Sequence, residues 1–201
     1  MKIFTGVTST TKQNLQLGAG VITTEYTAGV AISEDSIIGA TRGGGSFTAT
    51  PTIRQVEADG LPTNTKGFEL IDDWVITLQS TLIEFKKESL LLALGGGAKT
   101  TEEDQVIKIT ATNEVADTDY KNVFWIGNLA DGRKAVIMVK NALSLAGLNF
   151  TITNKGEGTY PLNLTGHYDV SDTETAPFEV WIDNKSAAAA SMSAEPNSEI
   201  E

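Results

Sequence analysis

The chain holds one histidine and no cysteine in 201 residues. Thiol nucleophiles, disulfide frameworks, zinc ribbons and iron–sulfur sites drop out together, and a histidine-rich metal centre goes with them. His167 stands in Thr165-Gly166-His167-Tyr168-Asp169. Residues two apart on a strand share a face, so His167 and Asp169 have the spacing of an imidazole–carboxylate pair. General-base catalysis also needs a nucleophile, and the sequence has no Gly-x-Ser-x-Gly turn. The pair reads as structural.

Two acidic clusters, Asp72-Asp73 and Glu102-Glu103-Asp104, have the hard oxygen ligands that calcium or magnesium takes. Neither alternates its ligands around a central glycine, and neighbours on a strand point to opposite faces. Both read as solvated charge. Gly43-Gly44-Gly45 brings a phosphate cradle to mind, but that loop requires Gly-Lys-Ser/Thr opening a helix, whereas Ser46-Phe47 opens an extended run here. A flexible turn is expected at these glycines, and a helix stop at Gly95-Gly96-Gly97. No catalytic residue, cofactor or metal ligand is assigned, and the chain is expected not to be an enzyme.

The elements around these residues are mostly strands. Over residues 70–83, Trp74, Ile76, Leu78, Ser80 and Leu82 share one face, and Val75, Thr77, Gln79, Thr81 and Ile83 share the other, which predicts a long strand with one apolar side. Residues 47–56 predict a strand that Pro51 confines to an edge or a bulge. Residues 106–112, 150–153, 160–168 and 178–182 complete the set. Residues 123–129 and 134–143 flank Asp131-Gly132, a hairpin signal. One segment, about 84–94, lacks alternation, holds good helix formers and ends at glycine, which predicts one α-helix with a stripe through Phe85, Ser89, Leu90 and Leu94. The predicted fold is mainly β: a β-sandwich or partly closed barrel with one flanking helix and long loops. Residues 1–183 read as a single β domain. Residues 184–201, rich in Ala and Glu, read as a disordered tail.

Charge bounds the partners. The net charge is −11, and residues 57–119 alone carry −8. No Lys/Arg cluster exists to neutralise phosphates, so gripping nucleic acid is disfavoured. No apolar run approaches the roughly 18 residues of a membrane span, and residues 1–6 have no apolar stretch, so neither a membrane segment nor a secretory leader is expected.

The order of segments is similar to that of a known family. From residue 37 the chain runs Ile-Ile-Gly-Ala-Thr-Arg-Gly-Gly-Gly-Ser-Phe-Thr-Ala-Thr-Pro, then Ile53-Arg54-Gln55-Val56-Glu57-Ala58-Asp59-Gly60, then Lys66-Gly67-Phe68-Glu69 and the long strand. Glu84-Phe85 then leads into the Leu-rich segment and its glycines. The ending adds Tyr160-Pro161-Leu162-Asn163-Leu164-Thr165-Gly166-His167-Tyr168-Asp169 and Ala176-Pro177-Phe178-Glu179-Val180-Trp181. Over residues 15–183 this resembles the major tail protein, or tail tube protein, of long-tailed bacteriophages and prophages of Gram-positive hosts. The triple glycines and the tail after Lys185 depart from that pattern.

The resemblance implies a structural virion protein of the phage tail, assembled in the host cytoplasm. Six copies form a ring, rings stack, and DNA is ejected through the lumen without specific binding. Implied partners are the chain itself, a tape-measure protein and tail terminator or baseplate proteins, with no cofactor. It also implies a contact loop between subunits or rings, placed at residues 57–69 and centred on Asp59, Gly60, Leu61, Pro62, Asn64 and Lys66. The lumen-facing side of the long strand would then be Asp73, Val75, Thr77, Gln79 and Thr81. The other reading of the same features is a non-enzymatic carbohydrate- or surface-binding β-sandwich module.

Overall fold

The structure, a computed structural model, describes residues 5–184. Among them are nine strands and one α-helix: β1 (Gln16–Thr23), β2 (Thr41–Gln55), β3 (Glu69–Leu82), α1 (Lys87–Leu94), β4 (Ala98–Glu103), β5 (Val106–Ala111), β6 (Lys121–Leu129), β7 (Lys134–Ser144), β8 (Tyr160–Thr165) and β9 (Phe178–Ile182). Every strand pairing is antiparallel. The expected tail, apart from Asn184, lies outside the described residues.

Two layers share one strand. In the first, β7 pairs with β6 and β9, and β6 pairs with β1. In the second, β3 lies between β2 and β8. The last residues of β7, Leu143 and Ser144, leave the first layer and pair with β8. The change of layer follows Asn141, whose φ of 47° bends the strand. Asn141 donates its backbone N–H to Asn122 Oδ1 (3.1 Å) and its side-chain amide to the His167 carbonyl (3.2 Å). Strands that switch sheets at a bend form the corners of sandwich-like folds. The strand path runs from β1 to β2, and these two ends are not hydrogen-bonded to each other, so no closed barrel forms.

The core lies between the layers. Ile76, Leu78 and Leu82 of β3 meet Tyr160, Leu162 and Leu164 of β8, Val123 of β6, and Val139 and Ala142 of β7. Leu90, Leu92 and Ala93 of α1 cap that cluster. The other face of the first layer is covered as well: Phe124, Ile126, Val136 and Met138 pack under Tyr26, Ile32 and Trp181. Burial on both faces explains why β6 and β7 read as apolar runs rather than alternating strands.

Several expectations are corrected. The three glycines at 43–45 form no turn; they lie inside β2, where the pairing with β3 shifts between Thr41 and Gly45. Gly43 and Gly44 both have φ of 78°, and a Cβ on Gly45 would stand 2.5 Å from the Gln79 carbonyl oxygen, so a bulge pressed against β3 requires glycine here. The helix begins at Lys87 rather than 84. Glu84 is held outside it, because its carboxylate accepts the Ala40 N–H (3.0 Å) and its carbonyl accepts the Tyr160 hydroxyl (2.6 Å). Phe85 consequently faces solvent instead of joining the apolar stripe. Residues 150–153 form one isolated bridge, Thr151 to Thr159, and no strand. The strand expected over 160–168 ends at Thr165.

Candidate assembly surface

β3 is longer than its neighbour β8. Pairing with β8 covers only Thr77 to Leu82, while pairing with β2 continues to Glu69. At about 3.3 Å per residue, the 14 residues of β3 span roughly 46 Å. Its first residues, 69–73, and the end of β2 therefore form a two-stranded arm beyond the sheet, while Trp74 already packs on the core and donates its N–H to the Tyr168 hydroxyl (2.7 Å). The arm carries the loop 56–68 at its tip.

The loop is built from consecutive tight turns. Leu61 donates its N–H to the Ala58 carbonyl (3.0 Å), and Phe68 donates to that of Thr65 (3.2 Å). The Thr65 hydroxyl donates to the Pro62 carbonyl (2.5 Å). Gly60 (φ 83°) and Asn64 (φ 63°) take the left-handed conformations that such turns require. Asp59, Gly60, Pro62, Asn64 and Lys66 are exposed and Leu61 is half-buried. The Val56 N–H to the Phe68 carbonyl (2.8 Å) closes the loop at its base. The structure thus gathers the expected contact residues on one projecting tip, away from the core.

The strand-face expectation holds along β3. Ile76, Leu78, Ser80 and Leu82 are buried, Asp73, Val75 and Gln79 are exposed, and Thr77 and Thr81 are half-buried. Pairing extends this outer face sideways, because directly opposed residues share a face. Ser46 opposes Gln79, Thr48 opposes Thr77, Thr50 opposes Val75, and Thr52 opposes Asp73. On the far side, Asn163 opposes Gln79, Thr165 opposes Thr77, and Pro161 opposes Thr81. The result is a wall of hydroxyls and amides containing one carboxylate and neither Lys nor Arg. The sequence reading had only the β3 part of this wall. The Thr48-x-Thr50-x-Thr52 alternation was the signal for the β2 part, since Phe47, Ala49 and Pro51 turn towards the core side.

The remaining candidates are structural. His167 and Asp169 do not pair. His167 Nδ1 lies 3.1 Å from the Asn141 carbonyl, and its ring meets Tyr120 edge-on. Asp169 accepts the Ser171 hydroxyl (2.6 Å) and N–H (2.8 Å), which hold its carboxyl below the usual range. The face argument fails because β8 has already ended at Thr165. Asp72 pairs with Arg54 across the arm (3.1 Å), and Glu102 pairs with Lys87 (2.6 Å). Among the described residues, no group of three or more His, Asp or Glu is placed to hold a metal ion. No described helix is long and apolar enough to cross a membrane.

The chain matches no family model, and no curated protein matches it significantly.

Proposed function

We propose that this chain is a structural subunit that self-assembles into stacked hexameric rings, forming a tube of the bacteriophage tail type through which DNA is ejected. The observation that carries the reading is the wall on β2, β3 and β8. Twelve outward positions hold hydroxyl, amide and small apolar groups with a single carboxylate, in a chain of net charge −11. A conduit for DNA needs such a lining. Hydroxyls and amides hydrate it, and the absence of cations denies phosphates a contact at which to stick. The exposed arm is a second support, since projecting strands with unpaired edges are liabilities unless a neighbour covers them.

In this reading the wall faces the lumen and the loop 56–68 reaches a neighbouring subunit. Tape-measure and terminator proteins would be further partners at the tube's interior and end. A sugar-binding role fits less well, because none of the twelve outward positions carries an aromatic ring on which a sugar could stack. The test is negative-stain electron microscopy of the purified chain at rising concentration. Hollow rings or tubes are expected, and a monomer that persists at all concentrations would refute the proposal.

A further inference from the structure

The cover over the outer face of the first layer is thin. Phe124, Ile126, Val136 and Met138 are roofed there by Tyr26, Ile32 and Trp181. Tyr26 stacks on Trp181 with ring centres 6.0 Å apart, and Lys134 Nζ stands 5.9 Å from the centre of the Tyr26 ring. Beside this roof runs an apolar groove of about 690 Å³. Loop 26–31 forms one side, and Lys134 with the end of β9 forms the other. The groove is open to solvent: Val30 is 55% exposed and Ile182 is 61% exposed. Ala28, Gly29 and Ala31 keep its loop side low, so another backbone can approach closely.

The path of the chain identifies the occupant. Residues 181–184 all line the groove, so residue 185 sets out from the groove itself. Asp183 is pinned there by Lys134: its N–H donates to the Lys134 carbonyl, and its carboxylate accepts the Lys134 N–H, both at 2.9 Å. Residues 186–194, Ser-Ala-Ala-Ala-Ala-Ser-Met-Ser-Ala, carry no charge and are bracketed by Lys185 and Glu195. Met192 apart, their side chains are no larger than that of serine, which suits a groove with low walls. A run this poor in apolar area buries too little to fold by itself and needs a surface already built.

We infer that residues 186–194 occupy this groove in their own chain and complete the cover of the outer core. The contact is internal to one subunit and does not rest on the tube reading. Tethered at the groove, the run acts at roughly 1 mM effective concentration. A groove with a dissociation constant of about 0.1 mM is then nine-tenths filled. The chain has no cysteine, so a single thiol reports the cover. Val30→Cys is labelled with a bulky maleimide in the full chain, in a chain ending at Ala194 and in one ending at Asn184. Labelling is expected to be about tenfold slower in the first two than in the third, since only the unfilled tenth reacts. Ala188→Asp combined with Ala190→Asp, in the full chain, should restore the fast rate. Val170→Cys, 97% exposed and outside the groove, should label equally in all four. Ala31→Cys replaces Val30→Cys in a repeat, so that one badly folded variant does not decide the result. Equal rates at the groove in all four chains overturn the proposal. So does slow labelling that requires residues 195–201, which makes the acidic end the occupant. Slow labelling that appears only as protein concentration rises assigns the groove to a second copy and overturns it as well.

Discussion

Tyr160 joins the helix to the sheet through one atom. Its ring is buried, and its hydroxyl donates to the Glu84 carbonyl at 2.6 Å while lying 2.8 Å from Ser89 Oγ. Ser89 in turn donates to the Lys86 carbonyl at 2.9 Å, which fixes the first turn of α1. Tyr160→Phe leaves the Glu84 carbonyl without this donor, and a cost of about 1–3 kcal/mol is expected in urea unfolding. The pH dependence gives a sharper test. Burial pushes the phenol above its ordinary pKa; the Ser89 hydrogen bond opposes this and the Glu84 carboxylate adds to it. A raised folded-state pKa means that the unfolded chain loses the proton first. The stabilisation is therefore complete below about pH 10 and is lost as pH rises through the folded value. Tyr26, raised chiefly by burial and then by Asp183, acts alike in both proteins and cancels in the comparison. Stability of the Phe variant should fall less steeply than wild type between about pH 9 and pH 11; parallel curves would show that the Tyr160 proton is not linked to folding.

Among the elements, β3 was legible from its single dry face, and β6 and β7 from apolar runs on either side of Asp131-Gly132. The alternation Trp74, Ile76, Leu78, Leu82 gave β3 to within one residue at each end, and Pro51 correctly marked β2 as an edge strand, bulged just after the proline between Thr52 and Ile53. Two strands left no such mark. β1 is bulged between Leu17 and Val21 and buries only Ile22 and Thr23, so its alternation is too short to read. β4 pairs only with β5, is mostly exposed, and has the sequence Ala-Lys-Thr-Thr-Glu-Glu, which has no apolar face. The opposite error arose at 150–153, where Phe150 and Ile152 alternate with threonines but stand at the surface. The loop between β2 and β3 was legible from its turn residues, and its role can be separated from folding. Deleting residues 61–66 leaves the base contact between Val56 and Phe68 intact, and shortening a loop changes closure entropy only slightly. Unfolding free energy is expected to stay within about 0.5 kcal/mol of wild type. Sedimentation should nevertheless show poor assembly, and normal assembly by this variant would make the loop an inert tip.

For the molecule as a whole, the least legible feature is how the layers join. The bend at Asn141 depends on a positive φ held by Asn122 and His167, residues 19 and 26 positions away, and nothing in the local pattern announces it. That joint nevertheless sets the wall, because it brings β7 round to β8 and places Leu145 and Ala146 beside Thr77, Gln79, Asn163 and Thr165, while the outer face of β2 stays exposed. Gln79 is exposed at the centre of the wall, between Ser46 and Asn163, which makes it the position at which to test the lumen assignment. Its side chain points away from the core, so Gln79→Lys should fold and assemble. In a hexameric ring the new cation would be repeated in every subunit and every stacked ring. Each phosphate it engages releases counterions, so binding of duplex DNA should fall as salt rises, with a log–log slope near −0.9 per contact. A labelled short duplex is mixed with preformed tubes, which are then pelleted over a range of salt. Wild-type tubes should leave the duplex in the supernatant throughout. Gln79→Lys tubes should retain it at low salt and release it on that slope. Thr110→Lys, on the exposed β5 hairpin strand and with the same net charge, serves as the control for binding outside the tube. Equal retention by the two variants would place Gln79 outside the lumen, and loss of folding by Gln79→Lys would place it in the core.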